Sequence, residues 1–132
     1  MNDHVPAQHG LNALIGLELD ARSADEVRAH VDIDERHLQP AGLVHGGVYA
    51  AIAEAVASIG TFIGTGEQKM VAGLSNFTSF LRPVFTGDTL SAVGVPRHRG
   101  RTTWVWEVDL TDSQDRLCAT TRVTIAVRDV VA

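Results

Sequence analysis

Hydrophobic and polar side chains alternate strictly in one early segment of the chain, DEVRAHVDI at residues 25–33. Its odd positions from Val27 to Ile33 are apolar, and the positions between them are polar. A period of two residues predicts a strand with one buried face. The preceding segment LIGLELD fits either a short strand or a helical turn, and its pattern does not decide between them.

Four segments in the second half of the chain also have a strand-like pattern. They are MVAGLSNFTSFL, TLSAVGVP, TTWVWEVDLTD and LCATTRVTIAV, separated by RPVFTGD, RHRGR and SQDR. In the last two segments, the residues that share one face are Trp104, Trp106, Val108 and Leu110, and then Leu117, Ala119, Thr121, Val123 and Ile125. Consecutive strands joined by short turns predict an antiparallel sheet.

One segment between these two regions has helical character, from about Val48 to Thr61. It is rich in alanine and has no proline, which favours a helix. Its apolar residues lie on almost all sides, so we expect this helix to be buried. It follows a loop rich in glycine and proline, HLQPAGLVHGG. The simplest fold that buries both elements is of the α+β class, with one antiparallel sheet wrapped around a single helix.

The length and composition describe an ordinary globular protein. The chain has 132 residues, so we expect a single domain over residues 1–132, of which residues 1–10 form a loose polar arm. The residues are 45% hydrophobic and 20% charged, as is typical of soluble domains. The formal net charge of -5 argues against a nucleic-acid partner.

The compartment is predicted from what the sequence contains. Cys118 is the only cysteine, which excludes an intramolecular disulfide. The segment MNDHVPAQHG lacks the basic and apolar regions of a signal peptide. The long apolar run raises the question of a membrane span, but Glu54 and several glycines within it favour a buried helix. We therefore expect a cytoplasmic protein with no membrane partner.

Glu54 is the feature that points to chemistry. It is the only Asp, Glu, Lys or Arg between His37 and Gly66. An ionised carboxylate in apolar surroundings is costly unless something compensates it, so an accidental placement is not expected. Upstream, the pair Gly46 and Gly47 stands at the predicted helix start, where free N–H groups lie at the positive end of the helix dipole and can stabilise an oxyanion.

Gln39 and His45 add side-chain donors near the same helix start. Nine residues separate His45 from Glu54, which is roughly 13 Å along a helix axis. One reacting group cannot contact both, so either the two residues have unrelated roles or the site is shared between two chains of a symmetric dimer. Each feature alone also has a structural interpretation: a tight packing contact, a hydrogen-bonded loop histidine, or a carboxylate satisfied by backbone groups or by a partner.

The chain resembles a known family through the segments QPAGLVHGGVYAAIAEAVAS, GEQKMVAGLSNFTSFLRP, HRGR and DRLCATTRVTIAV. They are similar to the hotdog-fold acyl-CoA thioesterases, in the branch with the 4-hydroxybenzoyl-CoA and 1,4-dihydroxy-2-naphthoyl-CoA thioesterases. The resemblance implies a sheet wrapped around one long helix and hydrolysis of an acyl-CoA or aryl-CoA thioester. It implies no cofactor, since coenzyme A is part of the substrate, and a homo-oligomer with the dimer as minimal active unit and a tetramer as the assembly.

The same resemblance implies roles for five residues. Glu54 matches the catalytic carboxylate, which acts as nucleophile or as general base on water. Gln39 and His45 match residues of the opposing subunit that hold the thioester or the attacking water. Gly46 matches the glycine whose backbone N–H polarises the carbonyl, and Ser58 matches a helper one turn beyond the carboxylate.

The binding region departs from the family pattern at one place, because Ser79 and Phe80 stand near the acyl pocket where relatives often have an Asn-His pair. Phe80 makes the acyl pocket more apolar. Arginines are expected to bind the phosphates of coenzyme A, although the basic turn RHRGR also fits a role in solubility. The candidate substrate-binding residues are Gly47, Phe80, Arg82, His98, Arg99, Gly100 and Arg101.

Two other function classes compete with thioester hydrolysis. A hotdog dehydratase or hydratase also uses a histidine and a carboxylate, but usually with a proline-bearing segment that LVHGGVY lacks. A non-catalytic acyl-CoA-binding protein would not need Gln39, His45, Gly46 and Glu54 together. The histidines show no metal-ligand spacing, and Cys118 has no evident base nearby, so neither a metal site nor a cysteine nucleophile is predicted.

Overall fold

The structure is a computed structural model that describes residues 9–130. This part of the chain forms a six-stranded antiparallel sheet in the order β1-β2-β4-β5-β6-β3, with one long helix against it. The elements are α1 (Gly10–Leu14), β1 (Glu18–Arg22), β2 (Val27–Asp32), a 3₁₀ turn (Glu35–His37), α2 (Gly46–Gly64), β3 (Met70–Phe80), β4 (Thr89–Arg99), β5 (Thr103–Thr111) and β6 (Leu117–Arg128). The predicted hotdog fold is confirmed. The arm predicted at residues 1–10 lies, apart from its last two residues, outside the described residues.

The long helix α2 extends beyond the predicted Val48–Thr61 at both ends and is not buried on all sides. Its contact face packs on the sheet, but one stripe along it stays open to solvent to varying degrees. We call this the open stripe; its residues are Gly47, Ala51, Glu54, Ser58 and Phe62. The prediction of a fully buried helix is wrong because the sheet has two free edges, β1 and β3, which do not pair with each other and leave a slot over the helix.

The buried face of α2 lies on two tryptophan rings of β5. The rings of Trp104 and Trp106 stack with centroids 6.2 Å apart. A Cβ atom on Gly60 would lie 2.2 Å from a Trp106 ring carbon, and one on Gly64 would lie 2.2 Å from a Trp104 ring carbon. The buried Trp106 Nε1–H donates to Thr61 Oγ1 at 2.9 Å. The tryptophans therefore pack the sheet face against the helix.

The end of β4 differs from the prediction made from the sequence. The segment RHRGR was predicted as a turn, but β4 continues to Arg99 and the turn comprises residues 100–102. The register of the β4–β5 pair shifts between Pro96 and His98. Proline has no N–H for the ladder, so the pairing is interrupted there and resumes one residue later.

The N-terminal segment LIGLELD contains both of the structures considered for it. Leu14 ends α1, the chain reverses at Gly16 with a φ of 73°, and β1 follows. Leu117, predicted on the buried face, is 41% exposed because the β5–β6 register shifts next to it. Among residues 9–130, α2 alone is long and apolar enough to cross a membrane; core helices of soluble proteins meet the same criterion, and α2 packs on the sheet.

Candidate active site

The loop before α2 is fixed by His37, a residue that sequence reasoning did not single out. His37 is buried, its Nε2 lies 2.7 Å from the carbonyl oxygen of Ile15, and its Nδ1 accepts from the backbone N–H of Asp34. Its own carbonyl oxygen accepts from the N–H of His45 at 2.8 Å. His37 thus holds the loop and the first residue before the helix in one place. A lone histidine in a polar segment carries no sequence signal for this role.

His45 caps α2. Its Nδ1 accepts the backbone N–H of Gly47 at 2.8 Å, which satisfies one of the free donors of the first turn. The Gly46 N–H is at the first helical position, where no acceptor exists inside the helix, and the helix dipole adds positive potential there. The Gln39 side-chain oxygen accepts from the N–H of Ala41 in the same loop.

Gly46 and Gln39 line an apolar hollow of about 690 Å³, which we call the Gly46 cavity. The Phe80 ring lies on Gly46, because a Cβ atom there would be 2.9 Å from Phe80 Cζ. Phe80 contacts Tyr49 edge to face at 5.7 Å, and burial raises the pKa of Tyr49 to about 12. The lining residues are Gln39, Leu43, Val44, Gly46, Tyr49, Phe80, Leu81, Arg82, Pro83 and Phe85.

Glu54 lines a second hollow of about 500 Å³, which we call the Glu54 cavity. Its carboxylate lies over Gly73 of β3, where a Cβ atom would be 3.0 Å from the carboxyl carbon. Glu54 is exposed rather than enclosed by its own chain, because it belongs to the open stripe. The expectation of a buried carboxylate is therefore wrong for the single chain. The lining residues are Leu11, Asn12, Ala50, Ala51, Glu54, Ala55, Ser58, Ile59 and Asn76.

Asn76 also lines this hollow, although no pattern in the sequence singles it out. Its Nδ2 donates to the carbonyl oxygen of Ala50 at 2.9 Å, which ties β3 to the helix beside Glu54. Its Oδ1 accepts from the Thr78 hydroxyl at 2.8 Å. An asparagine in a strand segment is ordinary, so only the contact with the helix reveals the role.

One chain does not bring all the predicted catalytic residues together. Gln39 and Gly46 line one cavity, whereas Glu54 and Ser58 line the other. Eight residues of helix separate Gly46 from Glu54, about 12 Å along the axis. The separation expected from the sequence is therefore present in the folded chain.

The predicted substrate-binding residues also divide into two groups. Phe80 and Arg82 line the Gly46 cavity, and Gly47 is at the same end of the helix. The end of β4 and the turn after it, with His98, Arg99, Gly100 and Arg101, adjoin Trp104. This tryptophan contacts the opposite end of α2, about 27 Å along the axis.

The arginines of that turn have other partners. Arg99 pairs with Asp25 at 2.6 Å, and its guanidinium lies 5.5 Å from the Trp104 ring centroid. Arg101 lines a shallow hollow with Lys69 and Asp129. Ser79 lines a hollow on the outer sheet face with Glu107 and Arg122, so the expectation that it lies near the acyl pocket is wrong. Successive strand residues point to opposite faces, and Phe80 takes the inner one.

Cys118 is buried, and its thiol donates to the carbonyl oxygen of Arg116 at 3.2 Å. Burial, together with the charge of Asp112, raises the pKa of the thiol, whereas a nucleophilic cysteine needs a lowered pKa. These contacts support a structural role for Cys118.

Strand pairing forms one cluster that spacing along the sequence could not reveal. On the outer face of β1 and β2, His30 Nε2 lies 3.1 Å from Glu18, and His30 Nδ1 lies 2.8 Å from Asp20, with Asp32 nearby. Partial burial alone would lower the pKa of His30, but the hydrogen bond to Asp20 and the carboxylate charges outweigh it and raise the pKa. The cluster is on the other face of the sheet from α2.

A six-stranded sheet around one long helix is the hotdog fold, and this chain adds the Gly46 N–H at the helix start and a carboxylate in the helix's open stripe. The Thioesterase superfamily model matches residues 41–119 of this chain. The proofreading thioesterase EntH of Cronobacter turicensis is 35% identical over 113 residues, which cover 86% of this chain and 82% of that protein. The chain therefore belongs to the thioesterase superfamily.

Solved structures agree with this assignment. AziG of S. sahachiroi superposes with a TM-score of 0.88 at 32% identity, over 92% of this chain and 98% of that one. A thioesterase of Haemophilus influenzae superposes with a TM-score of 0.83 at 34% identity, over 89% and 82% of the two chains.

Proposed function

We propose that this protein hydrolyses an acyl-CoA or aryl-CoA thioester to a free acid and coenzyme A, at a site formed by Glu54 of one subunit and Gly46 of another. The observation that carries the proposal is the division of the catalytic residues between two open cavities of one chain. Each cavity holds half of the required chemistry: a carboxylate in one, an unpaired N–H at a helix start in the other.

The edge strand β3 supports a homodimer as the minimal active unit. β3 is the last strand of the sheet, so one of its sides is unpaired among the described residues. An unpaired edge with exposed apolar side chains favours pairing with a second copy. The large exposed apolar residues of β3 and the loop after it are Met70, Leu74, Phe77, Phe80, Leu81 and Phe85.

Two contacts relate such a pair to the site. Glu54 lies over Gly73 near the start of β3, and Gly46 contacts Phe80 at its end. If the β3 edges of two subunits pair antiparallel, the start of one strand lies beside the end of the other. The Glu54 and Gly46 halves would then meet twice per dimer. Phe77, 75% exposed on the outer sheet face, is available for contacts between dimers in the proposed tetramer.

In the proposed mechanism, the Gly46 N–H donates to the thioester oxygen and stabilises the negative charge that develops on it. Glu54 either attacks the carbonyl carbon or takes a proton from the attacking water. The C–S bond breaks, coenzyme A leaves as the thiolate and is protonated, and the acid is released. Gln39 and His45 hold the thioester or the water, and Ser58 lies one turn from Glu54. Such substrates fit the cytoplasmic location expected from the sequence.

The test is thiol release from a panel of acyl-CoAs by the wild type and by Glu54→Gln. The amide is nearly isosteric with the carboxylate but is neither a base nor a nucleophile, so we expect a loss of at least about 10²-fold in kcat. A dehydratase or a binding protein releases no thiol. Near-normal turnover in a folded Glu54→Gln protein would refute the role of Glu54.

A further inference from the structure

The slot over α2 continues beyond Glu54 toward the end of the helix. The Glu54 cavity shares the lining residues Ser58 and Ile59 with another hollow of about 310 Å³, so the two hollows are neighbours along the helix. We call this second hollow the distal groove. Its lining residues are Leu19, Arg22, Ser58, Ile59, Phe62, Ile63, Glu67 and Val71.

The middle of the distal groove is apolar. Leu19 of β1 and Val71 of β3 face each other across it, because these strands are the two free edges of the sheet. The helix supplies Ile59, Ile63 and Phe62, and the Phe62 side chain remains 39% exposed. Apolar surface beside a reactive carboxylate favours an apolar part of the substrate.

The two arms of a CoA thioester need different surroundings. The Gly46 cavity is mostly apolar, but it is lined by Arg82, whose guanidinium can bind a phosphate of the coenzyme arm. The acyl arm leaves the carbonyl on the other side, which corresponds to the slot beyond Glu54. This assignment rests on the proposed function.

We propose that the distal groove binds the acyl chain and that the preferred substrate has a linear aliphatic acyl group of medium length. From Glu54 to Ile63 the helix advances about 13 Å. An extended chain covers roughly 1.2 Å per bond, so about ten bonds reach the end of the groove. A single aromatic ring would fill only the part next to Glu54 and leave Ile63 and Val71 uncovered.

The first experiment measures thiol release from acetyl-, butanoyl-, hexanoyl-, octanoyl-, decanoyl- and benzoyl-CoA. We expect kcat/KM to rise about fourfold per added methylene, the factor for burying one CH₂ group, and to level off near decanoyl-CoA. Octanoyl-CoA should exceed benzoyl-CoA. An active, Glu54-dependent enzyme with no chain-length dependence would overturn the groove assignment alone, whereas no thiol release from any acyl-CoA would overturn the proposed function as well.

The second experiment blocks the far end of the groove with Ile63→Trp. We expect kcat/KM for decanoyl-CoA to fall at least about tenfold, because the new ring removes the contacts of roughly two methylene groups. The value of kcat/KM for butanoyl-CoA should not change. The control is Val95→Trp, which adds the same ring to β4 at a position outside the groove and should change neither. Equal losses for both substrates in a folded Ile63→Trp protein would overturn the proposal. The proposal would also be overturned if Ile63→Trp changed the mass of the oligomer but left the dependence of kcat/KM on acyl-chain length unchanged, because a second copy of the chain would then fill the groove.

Discussion

The two faces of α2 have opposite surroundings. The face that carries Gly60 and Thr61 is covered by the chain's own Trp106, which packs on one residue and donates to the other. The face that carries Glu54 and Phe62 lies open in the slot between the sheet edges. One face is completed within the folded chain, while the other is completed, in the proposed function, by a substrate and a second subunit. The apolar residues of a helix therefore show which surface has to be covered. They do not show whether the same chain, a substrate or a second subunit covers it.

Mixing two inactive variants is the strongest test of the open face. His45→Ala and Glu54→Ala should each be nearly inactive alone. After joint unfolding and refolding, half the dimers are mixed, and each has one wild-type site and one doubly defective site, so about a quarter of all sites should be active. Mass spectrometry confirms that mixed dimers form. Mixed dimers without activity would exclude a site shared between chains.

The buried face is tested by Gly60→Ala. The new methyl group would lie 2.2 Å from the Trp106 ring, and overpacking of this kind costs about 1–3 kcal/mol. This exceeds the gain in helix propensity of about 1 kcal/mol. Denaturant unfolding at fixed protein concentration measures the loss. The matched substitution on the open face, Ala51→Ser, should change the free energy of unfolding by no more than about 0.5 kcal/mol. Equal losses of stability in the two variants would contradict the difference between the faces.

Removing the proposed contact with the coenzyme arm of the substrate should have a smaller effect on activity. Arg82→Gln should raise KM about tenfold with little change in kcat, because a phosphate contact is the same before and at the transition state. Removing Arg99 and Arg101 together is the control, since Arg99 is already paired with Asp25. A larger KM effect from the double variant would instead assign the phosphates to the turn, as the sequence alone suggests.

The smallest effect concerns pH. Because the folded-state pKa of His30 is raised above 6.5, its stabilising contribution is full below that value and is lost as pH rises through the folded pKa. We expect the free energy of unfolding to decline by less than about 1 kcal/mol over this range. His30→Gln should remove the decline, whereas His98→Gln, at an exposed position, should not. An unchanged decline in His30→Gln would assign it to another group.

The sequence predicts the fold well because each signal depends on neighbouring residues. Alternation predicts β2 and β5, and alanine content predicts α2. The prediction fails for features that depend on contacts between distant parts of the chain. The opening over Glu54 depends on where β1 and β3 end, and Asn76 is recognised only by its bond to Ala50. The catalytic roles expected for Glu54, Gly46 and Ser58 come from a family resemblance, and the structure adds that Gly46 lines a different cavity from Glu54 and Ser58.

The strand order has a consequence for synthesis on the ribosome. Among the described strands, β3 pairs only with β6, so it has no strand partner until residues 117–128 have been translated. Until then its apolar residues Leu74, Phe77 and Phe80 are available to nascent-chain chaperones and to aggregation. The strand proposed to join two subunits is thus the last of the six to be paired, which delays dimerisation until β6 has been synthesised.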